Sequence, residues 1–465
     1  MRTCIAMAGG IGRLILLLTL PTTASAQTQS FEEWLAEDRA AFIEYSETVT
    51  RQYQEFVEQE QKAFEAFVKE AGRVWGKDDV WVPESKVWVQ YSEDLEERSG
   101  VDFDGGGVRV QVVVDADSDE AAIEAELAGA VERLALSGTE GPIQMFRRRL
   151  FGGKKSSGTR SSAQGGASYT VRSGDTLWGL ARKLGVSRND LARANGIDPE
   201  GWLRVGQVLA IPGAAPAKPA SGWKPSKNPL LSGQLQMRDG GAVTPNNAAD
   251  YAREAVAQGV EVRDVKGSDG RTRRVAGVKL SLIPEHIRVR AQRFRPLVEK
   301  FAGKYGVLPS LIYALMETES SFNPRARSGA PAYGLMQLVP RSGARDAYRY
   351  VHKQDKLVPA SFLYNPSNNV ELGCAFMHIL SNRYLKKITH PLSRMFCAIA
   401  AYNTGAGNVA RAFTNTRSVN QAAPVINDMS PDEVYTRLRN DLPYEETRNY
   451  IKKVTERMPQ YSAWN

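Results

Sequence analysis

Two stretches with almost no large apolar side chains divide this chain. Residues 151–167 are rich in Gly, Ser and Lys, and residues 213–226 in Ala, Pro and Lys. Segments of this composition bury too little surface to order themselves, so they read as flexible linkers. Between them, residues 168–212 form a short self-contained pattern of strand, helix, helix, strand. The flanks also carry pieces of a sheet. Alternating runs over residues 80–91 and 108–114 read as strands and residues 120–136 as a helix. Beyond the second linker, residues 230–237 and 275–283 read as strands, with a helix near residues 247–257. Each flank alone has too few strands for a stable sheet. The expectation is therefore one split α+β domain, residues 75–150 and 227–285, with the module inserted in it. Two independent small domains are the alternative.

The N-terminus carries the marks of a cleavable export signal over residues 1–26. Arg2 and Arg13 supply positive charge, Leu14 to Leu20 an apolar stretch, and Ala24-Ser25-Ala26 a small-residue cleavage site. The apolar run is too short to span a bilayer. No Cys stands at the cleavage point, so no lipid anchor is evident. Export places the mature chain in the periplasm, where its two cysteines, Cys374 and Cys397, meet an oxidising compartment. They lie on consecutive apolar helical runs, and both a disulfide and two free core thiols are open readings. Residues 27–74 read as one long amphipathic helix with Leu35, Phe42, Val49, Phe56 and Phe67 near a helical period. An arm for self-association or for cell-wall or division partners is one reading. A helix folded back on its own domain is the other. The net charge of +8 suits nucleic acid, anionic lipid or an anionic polymer equally, so it selects no partner.

The chemistry lies in residues 286–465. Residues 308–318 (LPSLIYALMET) read as an apolar helix started by Pro309 or Ser310, and Glu319 falls in its last turn. A carboxyl there, if it faces a cleft, can have its pKa raised by desolvation, as a general acid requires. Glu317 lies two positions earlier, on roughly the opposite helix face. His286, His352, His378 and His390 are scattered and no CxxC occurs, so no metal is expected and no cofactor. Gly405-Ala406-Gly407 lacks the alternating strand–helix context of a nucleotide site.

Glu319-Ser320, then Gly334-Leu335-Met336-Gln337, then Ala401-Tyr402-Asn403, then Tyr450 form an ordered series. It resembles the soluble lytic transglycosylase catalytic domain, a mostly α-helical, lysozyme-like fold that cuts peptidoglycan. The resemblance implies Glu319 as the single acid and base, and Ser320, Ser328, Gly334, Met336, Gln337, Tyr402 and Tyr450 as substrate-binding. It implies a carbon–oxygen lyase that leaves 1,6-anhydro ends on N-acetylmuramic acid. A goose-type lysozyme activity on the same bond and a non-catalytic wall-binding scaffold are the alternatives. Asn365-Pro366 stands where the family usually has Asp-Pro.

Tyr169-x-Val171, Gly174-Asp175-Thr176-Leu177, Asn195 and Leu203-x-x-Gly206-Gln207 resemble a LysM domain, which implies glycan binding through Gly174, Asp175, Thr176, Asn195, Gly196 and Ile197. Asp175 and Asn195 are also natural helix-capping and turn residues. The split domain resembles, more weakly, the N-terminal domain family of membrane-bound lytic murein transglycosylase C, through Asn228-Pro229-Leu230, Gly233-Gln234 and Leu282-Ile283-Pro284. The whole is thus expected to be a multidomain α+β protein whose partner is peptidoglycan and not nucleic acid.

Overall fold

The computed structural model describes residues 31–141, 146, 150, 168–171, 176–183, 188–197, 203–204, 207–211, 225–329 and 331–465. The export signal, most of both linkers, and Gly174 and Asp175 lie outside these. Residues 1–51 and 52–465 are separate compact units. The described part of the first is helix, the opening of α1 (Phe31–Trp75).

In the second unit, α1 continues and packs one face onto a sheet. Ala63, Phe67, Ala71 and Trp75 are fully buried with Val89, Tyr91, Val265 and Val275. The sheet holds β1 (Val87–Tyr91), β2 (Glu97–Asp102), β3 (Gly107–Val114), β6 (Glu261–Lys266) and β7 (Thr272–Ser281), all antiparallel in the order β1-β2-β3-β7-β6. Strands β4 and β5 belong to the module described below. The sheet thus draws strands from both sides of that module, joined where Val110 faces Val278. Its other face buries α2 (Glu120–Leu136) and α5 (Ala248–Val256) through Leu127, Val131, Ala252 and Ala255. The period-2 alternation of β3 serves both faces: Val108, Val110, Val112 and Val114 point to the helices, while Val113 packs beneath α1.

Two expectations change here, and one open alternative, that of the cysteines, is decided. The first strand begins at Val87, not at residue 80. Residues 230–234 are turns, because Pro229 and Gly233 bend the chain, and Leu230, Leu231 and Leu235 enter the core without forming a strand. Cys374 and Cys397 are both free, each fully buried among apolar side chains.

The module pairs β4 (Ser168–Thr170) with β5 (Val208–Ala210) and packs α3 (Leu177–Lys183) and α4 (Arg188–Asn195) around Val171, Leu180, Leu191 and Leu209. Arg188 pairs with Glu96, which follows β1 in the sheet domain.

The remainder is helical: α6 (His286–Arg293), α7 (Arg295–Tyr305), α8 (Pro309–Ser320), α9 (Gly343–His352), α10 (Ala360–Leu363), α11 (Pro366–Ile379), α12 (Pro391–Thr404), α13 (Ala406–Thr414), α14 (Val419–Asn427), α15 (Pro431–Asp441) and α16 (Glu445–Arg457). α8 is the buried axis of this group. Ile312, Tyr313, Ala314, Leu315 and Met316 are wholly enclosed, so little freedom remains in where its last turn points.

Candidate active site

Proline at its start opens α8, and an abrupt left-handed turn closes it. Ser321 has φ 46° and Phe322 φ 61°, although neither is glycine. Such conformations cost on the order of 1 kcal/mol or more each and persist only where surroundings enforce them. Phe322 is enforced by a buried aromatic group of Phe294, Tyr313 and Tyr461. The turn holds Glu319, half-buried, at the end of a rigid helix.

The Tyr450 hydroxyl, on α16, donates to Glu319 Oε1 at 2.7 Å. Burial raises the Glu319 carboxyl to about 7. The Tyr450 hydrogen bond and the Lys86 charge oppose that rise, and Glu446 adds to it. Burial keeps the Tyr450 and Tyr402 phenols neutral, far above their ordinary range. Glu317 has a different fate. Its Oε2 accepts from the Tyr461 hydroxyl at 2.6 Å, and Arg457 Nε pairs with its Oε1 at 2.9 Å. It is locked into the fold.

The Gly334–Gln337 turn is tied on both sides. Tyr333 and Leu338 exchange two backbone hydrogen bonds at 3.1 Å, and Gln337 N donates to Gly334 O at 3.1 Å. Gly334 has φ 77°, and a Cβ there would collide with the Asn369 side chain and the Leu363 carbonyl. Its close approach is therefore to its own scaffold. Ser320 joins α8 to this turn, its hydroxyl donating to Leu335 O at 2.7 Å and to Met316 O at 3.0 Å. Met336 is buried against Gly373, and its carbonyl accepts from the Tyr402 hydroxyl at 2.8 Å. Ser328 is half-buried in the preceding loop, its backbone N bonded to Ala332 O at 3.3 Å.

Gln337 is the exception. Its Nε2 donates to Gly334 O at 2.9 Å, but its buried Oε1 has no hydrogen-bond partner among the described residues. A buried acceptor left open is costly, and a ligand N–H would satisfy it. Gln337 also has φ 43°.

Several residues that shape this site escaped the sequence reading. Asn369, fully buried, donates to Tyr333 O and Leu363 O at 2.8 Å each and accepts from Met336 N at 2.8 Å. It holds the turn as Ser320 holds the helix. The Asn-Pro start of α11 marked this helix but not this residue. Lys86, Asp104 and Arg290 approach from elsewhere in the chain, and no local motif points to them.

In the module, Asn195 is committed to the fold. Its Nδ2 donates to Leu191 O at 2.7 Å and Ala210 O at 2.9 Å, and its Oδ1 accepts from Ala210 N at 2.7 Å. The Thr176 hydroxyl caps α3, accepting from Gly179 N at 3.0 Å. Gly196 has φ 64°, and Ile197 packs partly buried on the module core.

Comparison with known proteins matches three segments. Residues 296–424 match the transglycosylase SLT domain, which takes in Glu319, the Gly334–Gln337 turn and Tyr402. This stretch is similar to a transglycosylase SLT domain. Residues 169–212 match the LysM domain, and residues 48–131 the N-terminal domain of membrane-bound lytic murein transglycosylase C. Relatives named membrane-bound lytic murein transglycosylase C include one from Actinobacillus pleuropneumoniae, 40% identical over 246 residues, which are 52% of this chain and 65% of that relative. One from Serratia proteamaculans is 38% identical over 236 residues, 51% of this chain and 64% of that relative. The chain thus spans just under two thirds of these relatives' length. Among solved structures, an inactive mutant of lytic transglycosylase Slt from Pseudomonas aeruginosa is 27% identical, covering 36% of this chain and 24% of that chain with a TM-score of 0.29. No helix among the described residues is long and apolar enough to cross a membrane.

Proposed function

We propose that this chain is a periplasmic lytic transglycosylase that cleaves the β-1,4 bond between N-acetylmuramic acid and N-acetylglucosamine. The observation that carries the reading is a shielded carboxyl at the end of α8, Glu319, raised to about 7 and held by the Tyr450 hydroxyl, while Glu317 is consumed by Tyr461 and Arg457. Protonated Glu319 gives its proton to the glycosidic oxygen as the C1–O bond breaks. The substrate's own acetamide oxygen closes on C1. Carboxylate Glu319 then takes the proton of the C6 hydroxyl, whose oxygen attacks C1 and reopens the acetamide ring. Atoms balance without water, and Glu319 ends protonated, ready for the next cycle. A residue that must act first as acid and then as base works best with a pKa near the working pH.

Gln337 Oε1, open and buried, suits an acetamide N–H, and Tyr402 stands beside the same turn. The LysM module is assigned to hold the enzyme on the glycan, raising its effective concentration on the polymer. The residues 1–26 signal and the relatives' action on the wall support the periplasm. Residues 27–74 are left to the role seen from Gln52 onward, where α1 packs on the sheet domain.

Mass spectrometry of purified sacculi treated with the chain tests this. The expected new ends are 1,6-anhydro, lighter by one water than reducing ends. Reducing ends alone would overturn the reading in favour of hydrolysis. The exposed Glu446, on the helix that carries Tyr450, would then be the base to replace.

A further inference from the structure

The sheet domain ends against the acid's helix, and its contacts fall on the residues that directly follow Glu319-Ser320. Asp104, in the turn between β2 and β3, accepts from the Ser321 hydroxyl at 2.6 Å. Arg290 Nε donates to Ser321 O at 3.0 Å, while the same guanidinium donates to Gln234 Oε1 at 2.6 Å and to Phe103 O. Asn323 Nδ2 donates to Ser85 O at 3.3 Å. Ser321 is thus gripped through its hydroxyl and its carbonyl in a left-handed conformation that serine adopts only under constraint.

Lys86 closes the arrangement. It lies in the turn before β1, and its Nζ pairs with Asp104 Oδ1 at 2.8 Å, the oxygen that also takes the Ser321 hydroxyl. Lys86 also stands near enough to Glu319 for its charge to favour the ionised carboxyl. One carboxylate oxygen therefore fixes two things: the backbone behind the acid, and a cation whose charge reaches it.

We propose that Asp104 and Lys86 of the sheet domain are positioning residues for Glu319: Asp104 holds the left-handed end of the acid's helix through Ser321 and tethers Lys86 within electrostatic reach of the reacting carboxyl. This rests on the reading of Glu319 as the reacting acid. It makes the sheet domain part of the catalytic apparatus and more than an adaptor. The groups that act on Glu319 are Tyr450 and Glu446 from α16 and Lys86, with Tyr402 from α12 close by. Those around Asp104 are Lys86, Ser321, Arg457, Arg290 and His286, with Asp102 in the same turn. Lys86 alone faces both sets as a cation from the sheet domain.

The test titrates the Glu319 carboxyl in the full chain, by NMR of protein labelled at glutamate Cδ, with the signal assigned by its loss in Glu319→Gln. Lys86→Met removes the nearby cation, so the titration is expected to move to higher pH. Lys86→Arg is expected to restore it. Asp104→Asn removes the tether on Lys86 and releases the cation from the acid, so the titration is expected to move to higher pH here as well. On sacculi, the Asp104→Asn rate is expected to fall on the order of tenfold or more, because the acid's backbone is no longer fixed. A loss confined to folding would lower stability without moving the Glu319 titration in the two variants. Lys86 is partly exposed, so Lys86→Met folds even where Asp104→Asn does not. An unmoved Glu319 titration in Lys86→Met overturns the proposal. Upward shifts in both variants in a chain that releases no anhydro ends would uphold the coupling and overturn the assigned reaction.

Discussion

The chain has two places assigned to glycan, and they treat their polar side chains in opposite ways. In the LysM module the Asn195 carboxamide makes three hydrogen bonds to its own backbone surroundings, tying α4 to β5. In the helical domain the Gln337 carboxamide leaves a buried oxygen open on a strained backbone. A module that only holds a polymer can satisfy its side chains and present main chain and shape. A site that must distort a sugar keeps acceptors and a shielded acid in reserve, at a standing cost to stability. The same contrast runs along α8 between Glu317, fully paired, and Glu319, held by one neutral phenol.

The largest effect should come from Glu319→Gln. Loss of both proton transfers should lower clearing of sacculi by ~10²–10⁴-fold or more. The same variant reports on the reserve. The folded carboxyl is raised from 4.5 to about 7, so wild type loses stability as pH climbs from about 4.5 through about 7. Glu319→Gln should not, so denaturant midpoints should diverge as pH rises from about 4.5 to about 7 and stay apart above that. Parallel pH curves would break the comparison.

Glu317→Gln comes next. It should cost about 3 kcal/mol in unfolding free energy, because Arg457 and the Tyr461 hydroxyl lose a buried ionised partner. Chemical denaturation reads this directly, and a stable variant would show that Glu317 is not the structural member of the pair.

Asn195→Ala should cost roughly 2 kcal/mol within the module, the net worth of two or three lost hydrogen bonds. Proteolysis should then enter residues 168–212 while sacculus cleavage by the rest persists. If glycan binding fell with the module's stability intact, Asn195 would be reading sugar, and the contrast with Gln337 would collapse.

Gln337→Met should be the smallest change and the sharpest. Fold stability should stay within about 1 kcal/mol, since only the bond to Gly334 is lost. The rate on sacculi should still drop about tenfold, the value of one substrate hydrogen bond.

The legible parts were those with short-range patterns. The α8 helix, its apolar filling and Glu319 in the last turn follow from Pro309 and the run of residues 311–316. β3 follows from its alternating valines. β2 was missed because Glu97, Arg98, Ser99 and Gly100 show no alternation of apolar residues. Buried Arg98 is accommodated between the Trp75 and Trp81 rings and by pairing with Asp79. β6 was missed because all but Val265 of its residues are exposed. Residues 230–235 are apolar enough for a strand, yet Pro229 and Gly233 bend them into turns. Asn369, Arg290, Lys86 and Asp104 act on backbone or side chains far away in sequence, so no window of the chain contains both partners. Ser320 and Gly334 were found by pattern, and geometry places their contacts on the scaffold.

The pairing of β3 with β7 has a consequence for how the chain comes to be folded. Val110 cannot meet Val278 until both linkers and the whole module have been delivered, so the centre of the sheet closes late and over a long loop. The module, with strands and core all within residues 168–212, can settle first. Until β7 arrives, β3 is an open edge of alternating valines, the kind of segment that invites pairing with another chain. The turn carrying Asp104 sits at the start of β3. Completion of the sheet is therefore timed by its last strand, and a chain cut short before β7 would carry an aggregation-prone edge at β3.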